Sequence, residues 1–201
     1  MMTDKQFTNW IKSRKGDVSA WRMLGAMVLL LCLPMLGGEG GRLALEYQRA
    51  GLAQGQLWRL LTAHLVHLDV MHLTFNLTGL IVLWLLYGSE WRPRRWLQIM
   101  LVAMLAIDAG LWLLAPQVHW YVGASGVLHG VWAAGAWAQL RRREPLATLS
   151  LLLLIVKLAW EQQQGSSLVL QQAPVVIEAH LYGTVGGLLS AWALARWHRK
   201  L

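Results

Sequence analysis

Gly123-Ala124-Ser125-Gly126-Val127-Leu128-His129-Gly130 sets one serine and one histidine among glycines near the head of an apolar block. How that stretch reads decides the fold. A helix that only crosses a bilayer has no use for such side chains, because ionisable and other polar groups inside a membrane are costly and turn toward the protein interior. Gly126 and Gly130 lie four residues apart, as do Gly183 and Gly187 in a later apolar block. Small residues at that spacing let two helix backbones approach closely. The stretch therefore predicts a bundle of apolar helices in which the fourth and sixth pack tightly, bringing Ser125 toward His180.

The rest of the chain agrees. Its 201 residues suit one domain, and they are 56% hydrophobic but only 14% charged, with the apolar residues gathered in blocks. A soluble domain of this size needs more polar surface. The fold class is an all-α polytopic membrane protein. Six apolar blocks run over 21–38, 68–88, 96–115, 120–140, 146–160 and 176–197, most of them near the ~20 residues that a bilayer core requires. The fifth, at about 15, either borrows length from its polar flanks or ends early.

Six spans put both termini on one side, and charge says which, because Lys and Arg concentrate in cytoplasmic loops. With the N-terminus inside, that side holds Lys5, Lys12, Arg14, Lys15 and Arg22, then Arg92, Arg94 and Arg95. It also holds Arg141, Arg142 and Arg143, then Arg196, Arg199 and Lys200, which makes fourteen of the 18 basic residues. Only Arg42, Arg49, Arg59 and Lys157 fall elsewhere. The net charge of +8 is thus a topology signal and not a nucleic-acid footprint. Trp21, Trp58, Trp91, Trp96, Trp112, Trp120, Trp160 and Trp197 sit near span ends, as an aromatic belt does. The first block reads as an uncleaved span, since Gly37-Gly38-Glu39-Gly40-Gly41 is a flexible exit without a small-residue cleavage site. Cys32 is the only cysteine, so no disulfide or cysteine metal site forms within the chain. The expected organisation is a short cytoplasmic segment, 1–20, and a six-helix membrane domain, 21–201. The longest external connection, 39–67, mixes apolar and charged residues as an interfacial segment does. A tight turn spans 116–119, and a Gln/Ser-rich loop over 161–175 closes at Pro174.

Polar groups gather in one layer. If the fourth helix starts near Trp120, Ser125 lies about 8 Å down it at ~1.5 Å per residue, and His180 lies at similar depth in the sixth. His72 and Asn76, four apart, share a face in the outer half of the second span. As packing glue they would bond to neighbouring helices, but the gathering of Ser125, His129 and His180 at the same depth favours chemistry. A serine hydroxyl becomes a nucleophile when a base within hydrogen-bond reach takes its proton. Acyl transfer also needs oxyanion donors, which the Ser125 N–H, the Asn76 amide and His72 supply. His129, one turn from Ser125, is the rival base. A same-helix pair leaves the hydroxyl little freedom to meet both base and substrate, which favours His180 and puts His129 behind it. No carboxylate clearly completes a triad. Asp108 and Glu178 are the acids at that depth, with Asp108 read as a structural partner. Lys157 and Glu161, four apart, read as a structural ion pair or interface anchor, with a role in holding a substrate's polar tail as the alternative. His64, His67 and His72 as metal or haem ligands lack a clear third partner, so no metal or other cofactor is expected.

Together these residues resemble the rhomboid intramembrane serine proteases. The resemblance rests on His67, His72 and Asn76 at their spacing, on Gly123-x-Ser125-Gly126, on His180 with Gly183, and on the outer-loop pair Trp58-Arg59. It covers all six spans and departs at Tyr87-Gly88-Ser89-Glu90, where the Gly-to-Glu spacing is short. The octapeptide, with His129 where many rhomboids carry an aromatic residue, is most like the rhombosortase branch. The resemblance implies a six-helix rhomboid-like bundle with Ser125 as nucleophile, His180 as base, and His72 and Asn76 as oxyanion partners. It implies a dyad working without a third acid, with Gly123, Gly126 and His129 around it. It further implies membrane-anchored substrates ending in a sorting tail: a Gly-rich motif, one membrane helix and a basic end. The setting would be a bacterial inner membrane, with the site near the periplasmic face. A general rhomboid protease that cuts unrelated single-span proteins is the second reading. A non-catalytic protein that binds membrane helices is the third, and the presence of both Ser125 and His180 counts against it.

Overall fold

The computed structural model describes residues 18–164 and 176–197. Most of the expected cytoplasmic segment, through residue 17, lies outside the described residues. So do Lys5, Lys12, Arg14, Lys15, Arg199 and Lys200, and the Gln/Ser-rich connection from 165 to 175 with Pro174.

Helix α1 (Val18–Cys32) passes through a 3₁₀ turn, Leu33–Gly37, into α2 (Gly38–Leu45). The connection continues as β1 (Tyr47–Gln48), α3 (Arg49–Ala53) and α4 (Arg59–Thr62). Then come α5 (Val70–Tyr87), α6 (Pro93–Leu114), β2 (Trp120–Tyr121), α7 (Ser125–Arg141), α8 (Ala147–Gln164) and α9 (Ile177–Trp197). Local chemistry sets several ends. The Asp69 carboxylate caps α5 by accepting from the His72 N–H at 2.7 Å, and Pro93 opens α6 where its missing N–H has no helical partner to lose. The short fifth block borrows from its polar flank, since α8 runs on through Glu161, Gln162 and Gln163.

Helix α7 is the hub. It runs against α9 along most of its length, with α5, α6 and α8 packed around it, and α1 joins through α5 and α6. The α7–α9 contact is backbone on backbone. A Cβ at Gly183 would fall 2.0 Å from the Gly126 carbonyl oxygen, and one at Gly187 would fall 1.9 Å from that of Gly130. Among the described residues, three stretches are long and apolar enough to cross a membrane: Val18–Leu45, α5 and α6. Helix α7 is mostly enclosed by protein, while α9 buries one face and exposes Leu181, Val185, Leu189 and Trp192. Gly126–Val131 and Ala133–Ala136 of α7 are buried, and so are His180, Thr184 and Ser190 of α9.

Two expectations are corrected. The fourth helix does not start near Trp120. Trp120 and Tyr121 pair antiparallel with Gln48 and Tyr47, as β-favouring aromatics can, and Gly123 at φ +112° interrupts the chain before α7 opens at Ser125. Ser125 is therefore in the first turn of its helix, not a turn and a half along it. Trp96 is not a belt residue but fully buried, its ring centroid 5.0 Å from that of Trp84.

Candidate active site

Ser125 is placed by a loop pinned from two sides. The Gly123 N–H donates to the Ala63 carbonyl at 2.9 Å, and the Tyr121 hydroxyl donates to the Gly123 carbonyl at 2.5 Å. Gly123 has both a positive φ and no room, since a Cβ there would sit 2.7 Å from the His72 ring. The first N–H groups of α7 have no acceptor within their own helix and carry the positive end of its dipole. Negative charge developing beside Ser125 is favoured there.

His180, in the first turn of α9, completes the pair. Its Nε2 lies 2.8 Å from Ser125 Oγ, which the close approach of Gly126 to Ala179 allows. His129 is not on the hydroxyl. Its Nδ1 donates to the Ser125 carbonyl at 2.7 Å, and its ring stacks on His180 with centroids 4.1 Å apart and planes 13° apart.

His72 and Asn76 reach the same place from α5. His72 Nδ1 accepts a long bond from the Leu68 N–H at 3.5 Å, so the ring proton belongs on Nε2, which lies against Gly123. Asn76 Nδ2 spends one proton on the His72 carbonyl at 2.9 Å. Ser125, His180, His72 and Asn76 all line one cavity of about 260 Å³, shared with His129, Lys157 and Glu161. Behind it, His67 packs edge-on against His72, ring centroids 5.1 Å apart. Burial, and then the neighbouring His72, pull the His67 imidazole down to about 3, so at neutral pH it is an uncharged support.

Neither acid named from the sequence at that depth lies behind His180. Asp108 is bound to His64 at 3.3 Å, as a structural partner, and Glu178 accepts from Gln117 at 3.3 Å. Sequence reasoning paired Glu161 with Lys157 but missed its contact with His180. Its Oε2 lies 2.9 Å from His180 Nδ1, and Lys157 pairs with its other oxygen. The implied dyad thus has a carboxylate behind it. The only hint in the sequence is the Lys157–Glu161 spacing at the end of an apolar run. Arg59, from the Trp58-Arg59 pair, is buried and donates to the Leu43 and Glu46 carbonyls at 2.9 and 2.7 Å, stapling the outer connection.

His129, Glu161 and His180 offer ligand atoms within 4.8 Å of one another. They fit a metal ion poorly. The two imidazoles are stacked, so their in-plane lone pairs run side by side, and both His180 nitrogens are already bonded. Of the other histidine set considered, His64 is committed to Asp108.

A family profile described as "Rhomboid domain" matches residues 54–197. The chain is 28% identical over 199 residues to "Rhomboid protease GlpG" of Enterobacter sp. (strain 638), covering 91% of this chain and 65% of that protein. It is 26% identical over 139 residues to "Putative rhomboid protease YdcA" of Bacillus subtilis (strain 168), covering 69% of this chain and 68% of that protein. With "Rhomboid protease GluP" of the same organism it shares 26% over 147 residues, covering 71% of this chain. The chain spans just under two thirds of the first relative's length, at 65%, and 27% of the third's.

Proposed function

The chain belongs to the rhomboid family, and from that premise we propose that it is an intramembrane serine endopeptidase in which Ser125 is the nucleophile and His180 the base. One observation carries the reading: the 2.8 Å contact of Ser125 Oγ with His180 Nε2, inside a multi-pass membrane protein. The Ser125 hydroxyl donates along that contact, attacks the scissile carbonyl and forms an acyl-enzyme, which water or an amine acceptor resolves. The Ser125 N–H, the Asn76 amide and His72 Nε2 surround the place where the oxyanion forms.

The finer reading places a six-span domain, 21–201, in a bacterial inner membrane behind a short cytoplasmic segment, with both termini inside and the site near the periplasmic face. Its substrates are exported proteins with a Gly-rich motif, a membrane helix and a basic end, as the rhombosortase-like octapeptide suggests. A general rhomboid acting on unrelated single-span proteins differs in substrate choice and not in these residues.

The test is cleavage of a reporter carrying such a Gly-rich tail, co-expressed with wild type, Ser125→Ala, His180→Ala and His129→Ala at matched protein levels. Cleavage is expected to vanish with the first two variants and to persist in part with the third. Loss with His129→Ala but not with His180→Ala would move the base to α7. Cleavage surviving Ser125→Ala would remove the protease reading. A wild type that cuts a tail-less single-span protein but not the tailed one would select the general rhomboid.

A further inference from the structure

We propose, resting on the assignment of Ser125 and His180 above, that the Glu161 carboxylate, neutralised by Lys157, is a positioning residue that fixes the proton and the ring angle of His180. The carboxylate comes from α8, so the activity of the pair depends on where α8 sits.

The geometry leaves Glu161 little other purpose. A surface ion pair with Lys157 would need only one carboxylate oxygen and contributes about 0–1 kcal/mol. Glu161 is instead 2% exposed, and its second oxygen is spent on His180 Nδ1 at 2.9 Å. A buried carboxylate needs a counter-charge, and Lys157, one turn earlier, provides it. An ionised carboxylate only accepts hydrogen bonds. The ring proton of His180 must then sit on Nδ1, which leaves the Nε2 lone pair facing Ser125 Oγ. Nothing else described does this. Asp108 is committed to His64 and Glu178 to Gln117, while His129 packs on the ring face and its own Nδ1 is on the Ser125 carbonyl.

In the acylation step the Ser125 proton moves to His180 Nε2 as Oγ bonds the scissile carbonyl carbon. The same proton then passes to the leaving amine nitrogen as the C–N bond breaks. The Nδ1 proton stays on the ring throughout, donated to Glu161, whose negative charge faces the imidazolium formed between the two transfers. Helix α8 is held near its other end by Ser150, which bonds the Tyr87 hydroxyl at 2.5 Å and Trp132 Nε1 at 2.9 Å. At the site end Glu161 ties it to α9.

The experiment uses full-length protein in detergent and a fluorophosphonate probe, which reacts with an activated serine by losing fluoride. Labelling rates are compared for wild type, Ser125→Ala, Glu161→Gln, Glu161→Asp and Lys157→Met. Thermal midpoints are measured alongside, and ¹⁵N-histidine spectra report which His180 nitrogen carries the proton. Wild type should label and Ser125→Ala should not. Glu161→Gln should slow labelling by ~10²-fold or more, since exchanging the acid of a Ser-His-Asp triad for its amide costs ~10⁴. In that variant the His180 proton should no longer be confined to Nδ1. Glu161→Asp should recover part of the rate, and Lys157→Met should lose about tenfold. Glu161→Gln and Lys157→Met both labelling within about threefold of wild type, or an Nδ1 proton unchanged in Glu161→Gln, would overturn the proposal and leave the protease reading standing. If Glu161→Gln proves too unstable to measure, Lys157→Met decides by the same threshold. A wild type that labels no better than Ser125→Ala would remove the protease reading itself, and this proposal with it.

Discussion

Asn76 shows how much a single side chain is asked to do here. Its Nδ2 has two protons and gives one to the His72 carbonyl, which leaves the second for the cavity it shares with Ser125. A donor of this kind matters most when the carbonyl oxygen of the substrate becomes an anion. Asn76→Ala is therefore expected to lower kcat by ~10²–10³ while KM stays near wild type, measured on the same purified reporter. A loss carried by KM would make Asn76 a substrate-binding residue instead. Ser125, His180, His72 and Asn76 were legible in the sequence for one reason: each is a polar residue set in an apolar run, where polarity is costly. Glu161 was not legible as a partner of His180. Its nearest relation along the chain is Lys157, a local i, i+4 pair that reads as complete in itself. The contact with His180 depends on the register of α8 against α9, which no local pattern encodes.

Among the elements, the α7–α9 seam carries the site, and its glycines are the most exacting part of the fold. Gly187→Ala would drive a methyl group into the Gly130 backbone, with the oxygen 1.9 Å and the carbonyl carbon 2.5 Å from the ideal Cβ position. Backbone cannot swing away as a side chain can, so the helices must separate. Overpacking of this kind costs ~1–3 kcal/mol, and separation also stretches the Ser125–His180 contact. Gly25, in α1, has nothing within 4 Å of its Cβ position, and Gly25→Ala should be neutral or favourable by up to about 1 kcal/mol from helix propensity. Thermal midpoints and probe labelling of the two variants should thus diverge, with Gly187→Ala losing both and Gly25→Ala keeping both. Equal behaviour would show that the seam has slack. The four-residue glycine spacing announced this seam in the sequence. The start of α7 was misplaced because Trp120-Tyr121-Val122 is apolar enough to extend a span. Its strand pairing with Tyr47 and Gln48 is a contact between segments more than 70 residues apart.

At the scale of the molecule, the helices sort their ends. Helix α5 starts at the Asp69 cap and His72, α7 starts at Ser125, and α9 carries His180 in its first turn. Their far ends lead to Glu90 and Arg92, to Arg141, and to Arg196. All the candidate chemistry therefore lies at one end of the bundle and the basic turns lie at the other. The β1–β2 pair and α2–α4 cover the site end, stapled by Arg59 and by Arg49, which donates to the Trp112 and Ala115 carbonyls at 3.1 Å. Basic residues concentrate on the cytoplasmic side of a membrane, so under the proposed topology the site would face the opposite side. The block pattern marked the helices before any contact was known, and among the described residues three stretches are long and apolar enough to cross a membrane. The expectation is direct. Reporter domains fused after residue 201, or inserted between Arg92 and Arg95 or at Arg143, should report the cytoplasm, while insertions near Gly55 or Gln117 should report the outside. The pair that decides is Gln117 against residue 201. Both on one side would mean an even number of spans after Gln117 instead of the three expected, and would break the link between the basic turns and the face opposite Ser125.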